Sequence, residues 1–154
     1  MFNRPLGEYF QFTKIGIYLL ALVSVVRFIM KPVFNIPYAE GTHFTSVTIL
    51  MPILMIVYTI RARSAGLGSY RDLLGIAAAL ALSTTAFIIL GIAVDTLGGI
   101  ETYYTDLKHG GNLNQWLHVG GHILVTGVIF TLILWGIGSL VHLVTGASRK
   151  KAMA

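Results

Sequence analysis

Apolar residues fall in four long runs, at about 15–31, 44–61, 72–97 and 115–145, and polar residues gather between them. None of the runs alternates as a membrane strand would, and each is long enough, or nearly so, to cross a hydrocarbon core of about 30 Å as a helix. A segment in lipid has to pair its own backbone N–H and C=O groups, which leaves the helix for such runs. The pattern predicts an all-α fold, an integral membrane four-helix transmembrane bundle occupying residues 1–154 as a single domain.

The polar gaps supply the punctuation. Lys31-Pro32 closes the first run, because proline disfavours helix at the residue before it. Thr42 is placed to cap the second helix and Pro52 to kink it. Ser69 and Asp72 mark the start of the third. Residues 1–13 mix Phe2, Tyr9, Phe10 and Phe12 with Arg4 and Glu8, as expected of a segment lying on the headgroup surface. Residues 98–114 form the one long polar loop, and its two Gly-Gly pairs imply mobility. Ser83, Thr84 and Thr85, in mid-span, are expected to bond back to their own helix. The first span reads as an uncleaved signal-anchor helix, since Arg27 and Lys31 stand where a cleavage site would be.

Composition narrows the class. At 55% hydrophobic and 11% charged, with a mean hydropathy of +0.77, the chain is too apolar for an ordinary soluble domain. A net charge of +5 raises the question of nucleic acid, but the placement of the bases answers it. Arg4, Lys14, Arg61, Arg63, Arg71, Arg149, Lys150 and Lys151 fall at one end of the runs, and only Arg27, Lys31 and Lys108 fall toward the other. The positive-inside rule then puts both termini in the cytoplasm (N-in/C-in), with a bacterial inner (plasma) membrane as the default and the lipid bilayer, not nucleic acid, as partner. The absence of cysteine excludes disulfides, thiolate catalysis, iron–sulfur ligation and covalently attached haem. No nucleophile elbow, phosphate loop or nucleotide fingerprint occurs.

The candidate chemistry lies opposite the basic end, where four of the five histidines collect. Counting about 20 residues per hydrocarbon core sets His43, Asp95, His118 and His122 at one depth, with Arg27 somewhat deeper. His118 and His122 are four apart and share a helix face roughly 6 Å apart, a spacing that chelates one ion. His43 is a candidate third ligand, and Asp95, Glu40 or Glu101 a candidate carboxylate. Such a set suits zinc, or iron or manganese where carboxylates dominate. Val119, Gly120 and Gly121 stand between the two histidines, so the glutamate base of the metalloproteases is missing. Haem b, held by His43 across from His118 or His122, ranks behind an ion, because two histidines on one helix do not flank the same iron. The plain alternative is histidines bound to water and headgroups, with no cofactor.

Arg27 requires a counter-charge, with Asp95 the first candidate for a structural ion pair and Glu40 the next. In a functional role it would hold a phosphate or carboxylate of an outer-leaflet lipid or small molecule. Gly120, Gly127 and Gly138 stripe the last span and admit another helix, within the chain, in a homo-oligomer or in a larger membrane complex. The expected functions are thus a metal-binding membrane protein with an outward-facing pocket, an accessory structural subunit, and a lipid or small-molecule binder. If a reaction occurs, a metal-bound water or a redox change would carry it.

Overall fold

The computed structural model describes residues 2–42, 45–111 and 113–152, with side chains as far as residue 146. Six α-helices appear: α1 (Leu6–Phe34), α2 (Tyr38–Gly41), α3 (Val47–Ser64), α4 (Tyr70–Gly98), α5 (Gln115–His122) and α6 (Phe130–Ala152). A 3-10 turn covers Leu107–His109, and a π-helical stretch, Ile123–Ile129, joins α5 to α6. No strand occurs among the described residues. Four helical units are long and apolar enough to cross a membrane: Leu6–Phe34, Val47–Ser64, Tyr70–Gly98 and Gln115–Gly146.

The boundaries differ from the sequence reading where local chemistry allows a helix to continue. Helix α1 absorbs most of the aromatic N-terminal segment and runs on through Lys31-Pro32 to Phe34. Pro32 removes one backbone bond from the final turn, which is sealed instead by Asn35 in the left-handed region at φ 51°. Asn35 N–H donates to the Lys31 carbonyl and Ile36 N–H to that of Met30, closing the helix. Ser46, not Thr42, caps α3, its hydroxyl accepting from Ile49 N–H at 3.3 Å. Ser69 and Asp72 form the reciprocal cap of α4 that their spacing predicts.

Helix α4 is the centre of the bundle. In its most apolar stretch 67% of residues are buried, against 17–39% in the other three units, and α1, α3 and α6 all pack on it. Its small residues permit this: at Gly75 a Cβ would overlap the Tyr9 ring, and Ala77, Ala79 and Ala81 are wholly enclosed. The core joins these to Leu20, Met51, Met55, Tyr58, Ile76, Leu80 and Leu134. The outer faces expose Ile15, Leu22, Ile53, Leu132 and Leu140, as suits contact with lipid, where apolar side chains lose nothing by facing outward. Ser83, Thr84 and Thr85 each donate to the carbonyl four residues back, at 2.8–2.9 Å.

The two ends carry different polar work. At the basic end Tyr9 donates to Asp72 at 2.8 Å, Arg4 reaches the Gly66 carbonyl at 3.3 Å, and Arg63 donates to the His142 ring at 3.2 Å and to its carbonyl. Those contacts gather the start of α1, the α3–α4 turn and the far part of α6. The glycine stripe is largely used within the chain: a Cβ at Gly127 would lie 3.4 Å from Thr85 Oγ1, and at Gly138 the space is filled by Met55 and Thr59. Only Gly120 of the three faces open space, so this stripe is chiefly the seat of α3 and α4.

Candidate metal centre

At the other end Asp95 organises the long loop. The carboxylate is 3% exposed, and its Oδ2 accepts from Thr102 N–H at 3.1 Å and from the hydroxyls of Thr102 and Thr105 at 2.5 Å each. With Gly99 in the left-handed region at φ 60° and Ile100 N–H on the Asp95 carbonyl, this clasp turns the chain back onto the bundle. Tyr103 and Tyr104 follow it inward. Tyr103 donates to the Ile36 carbonyl at 2.7 Å and packs on Gly41, while Tyr104 donates to Ser24 at 3.2 Å and packs on Gly91. Burial pushes both phenols above their ordinary range, so they remain donors. The loop expected to be mobile is in fact anchored by two fully enclosed tyrosines.

The same loop delivers a histidine. Asp106 opens the 3-10 turn, its carbonyl accepting from His109 N–H at 2.8 Å and from Gly111 N–H at 3.0 Å. Gly110 adopts φ 97°, and a Cβ on Gly111 would overlap the Thr105 carbonyl, so both positions require glycine. This hairpin of backbone turns His109 toward α5. Its ring centroid lies 5.6 Å from that of His118 and 5.0 Å from that of His122, and the latter two are 5.1 Å apart. One ligand atom from each of the three lies within 4.8 Å of the others.

The nitrogens are disposed for ligation. Nε2 of His109 and of His118 are buried without a hydrogen-bond partner. Nδ1 of His109 meets the Tyr38 hydroxyl at 3.3 Å, and Nδ1 of His122 meets Thr126 Oγ1 at 3.3 Å. Burial first, then the Arg27 charge and the two neighbouring imidazoles, pushes the His109 pKa down to about 3. His109 is therefore neutral at physiological pH, the form a metal binds.

A cavity of about 220 Å³ adjoins the cluster, lined by Tyr38, Tyr104, His109, His122 and Arg27 among others. Arg27 is 6% exposed. Its Nη1 donates to the Thr45 carbonyl at 3.4 Å, its guanidinium carbon lies 6.0 Å and 5.7 Å from the Tyr38 and Tyr104 ring centroids, and its Nε has no partner.

His118 and His122 are brought together as their spacing implies. His43 lies outside the described residues. Asp95 is committed to the two threonines, and no described carboxylate lies within ion-pair reach of Arg27. The expected Arg27–Asp95 pair fails because equal depth fixes height but not direction around the helix axis, and closer donors claim Asp95. Glu40 is exposed, and Glu101 pairs with Lys31 at 3.1 Å on the surface. Neither belongs to the group of ligand atoms. Sequence reasoning missed His109 as a member of the histidine cluster, since loop residues obey no helical spacing. Its one signal was the turn chemistry of Asp106 and Gly110-Gly111 around it. Comparison with protein-family models, curated proteins and solved structures finds no match for this chain.

Proposed function

We propose that the chain is a membrane protein that binds a divalent transition-metal ion, zinc foremost, through His109, His118 and His122. The observation that supports this most directly is the convergence of three imidazole nitrogens from a loop and a helix to within 4.8 Å. In a tetrahedral site with Zn–N bonds of about 2.1 Å, ligand nitrogens sit about 3.4 Å apart. Closing the present cluster onto an ion thus takes ring movements of about an ångström. With the ion on Nε2, the Nδ1–H groups of His109 and His122 donate to Tyr38 and Thr126, which fixes tautomer and ring orientation. The donor set contains no carboxylate, so it suits zinc better than iron. Nitrogens that meet at one point also suit an ion better than haem b, which takes imidazoles on opposite sides of a plane. Because His109 and His122 line the cavity, an ion held by the three histidines would have room on that side for a further ligand.

The basic clustering supports an orientation with both termini cytoplasmic, which sets the metal centre at the extracytoplasmic face of a bacterial inner membrane. The test is metal content by elemental analysis, after chelator stripping and reloading of detergent-purified protein. One equivalent of zinc is expected in the wild type and much less in His109→Ala, His118→Ala and His122→Ala. Full occupancy in all three variants, no stoichiometric zinc in the wild type, or a Soret band in gently purified protein would each overturn the reading.

A further inference from the structure

Arg27 is buried and makes no ion pair among the described residues. A guanidinium carries five N–H donors. Among the described residues Arg27 uses one, on the Thr45 carbonyl at 3.4 Å, while Nε is buried with nothing to bond. Two aromatic faces at 5.7–6.0 Å soften the charge but do not neutralise it. Buried charges are ordinarily paired, and here the candidate carboxylates are placed elsewhere: Asp95 is held by Thr102 and Thr105, Glu101 pairs with Lys31, and Glu40 is exposed and makes no ion pair with Arg27. The described residues lining the cavity that Arg27 enters include the hydroxyl-bearing Tyr38, Thr42, Ser46 and Thr48 and no aspartate or glutamate. An ion on the histidines would add a second positive charge to the same small space.

We propose that this cavity is a binding site for a phosphate group, held between the Arg27 guanidinium and the ion on the three histidines. The proposal rests on the metal-binding reading given above. The planar fork of arginine matches two phosphate oxygens, and a third would be free to reach an ion on the histidines. A tetrahedral anion can accept from donors on several sides, which suits a lining with four hydroxyl-bearing residues beside Arg27 better than a planar carboxylate does. Arg27 lies in a helix apolar enough to cross a membrane, a turn or two short of its end, so a lipid headgroup and free phosphate both offer the required chemistry.

The test uses full-length protein in detergent, with and without zinc. One arm measures binding of inorganic phosphate by equilibrium dialysis. The other measures retention of phosphatidylglycerol, with diacylglycerol as the phosphate-free control, by native mass spectrometry. Zinc-loaded protein is expected to take one equivalent of one of these phosphates, and Arg27→Gln to weaken that binding at least tenfold. Uptake in the first arm identifies free phosphate as the source, and retention in the second identifies lipid. If Arg27→Gln does not fold, Thr42→Val, which removes one lining hydroxyl and keeps the shape, is expected to weaken binding a few-fold. Zinc uptake without binding of either phosphate, or binding that no lining substitution weakens, overturns the proposal while the metal centre stands. If no zinc is taken up, the metal reading falls. Phosphate bound by the zinc-free protein and lost in Arg27→Gln then still supports the anion site, and its absence overturns that as well.

Discussion

Replacing Asp95 with alanine should weaken zinc binding although the residue is not among the ligands. Its Oδ2 holds three donors in a setting that is 3% exposed. After truncation the two threonine hydroxyls can turn to other acceptors, but the Thr102 N–H is fixed in the backbone and loses its partner. A buried donor left unsatisfied costs about 1–3 kcal/mol, and a hydrogen bond to a charged group contributes about 1.5–3 kcal/mol. Counting the amide in full and the hydroxyls in part gives about 3 kcal/mol in favour of the folded loop. That loop carries His109, one of the three proposed ligands, so its loosening would propagate to the ion at about tenfold per 1.4 kcal/mol. Asp95→Ala is expected to bind zinc roughly 100-fold more weakly, measured by competition with a chromophoric chelator. The effect has a ceiling, because freeing the loop can do no more than remove His109. Asp95→Ala should therefore not exceed His109→Ala, and the double variant should be no worse than His109→Ala alone. Wild-type affinity in Asp95→Ala would refute the loop-anchoring account. So would additive losses in the double variant, which would mean that Asp95 meets the ion by a route other than the loop.

Two further outcomes follow from the same geometry. In the unfolded chain His109 titrates near 6.5, but in the folded metal-free protein only at about 3. Above pH 6.5 it is neutral in both states and contributes no pH dependence; between 6.5 and 3 the unfolded state takes a proton that the folded state refuses. Stability should therefore fall with falling pH in that window, by roughly 1 kcal/mol per unit. Denaturant unfolding at pH 7.5, 6.0 and 5.0 checks this against His109→Gln; a gap between the two proteins that does not change with pH would count against it. At the opposite end, Tyr9→Phe strips Asp72 of a buried hydroxyl donor and should cost about 1–3 kcal/mol. Its melting temperature should drop while zinc affinity stays level, and a parallel loss of zinc would show that the two ends are coupled.

The features legible in the chain were those governed by local periodicity. Four apolar runs become four long helices, because a run that buries or greases every face needs no partner to declare itself. His118 and His122 were readable together because four residues make one turn. His109 was not, since its position depends on a carboxylate twelve residues before the start of the 3-10 turn that carries it, on two hydroxyls that capture that carboxylate, and on glycines at 110 and 111 that let the turn close. Each of those features reads from sequence as flexibility or as charge pairing. The Arg27–Asp95 expectation failed for the related reason that proximity in depth was taken for proximity in space. What the sequence treated as a floppy connection is the part that completes the site.

The span bearing His118 and His122 is wound in two gauges. Below His122 the chain follows a wider coil for Ile123–Ile129, so the upper turns are rotated relative to the lower ones from where an uninterrupted α-helix would leave them. The lower half can thus keep Leu134 and Gly138 seated on their neighbours while the upper half points two imidazoles at His109. Winding those same seven residues as ordinary α-helix would swing the imidazoles about 100° around the axis, leaving a well-packed rod whose histidines aim at the wrong neighbour.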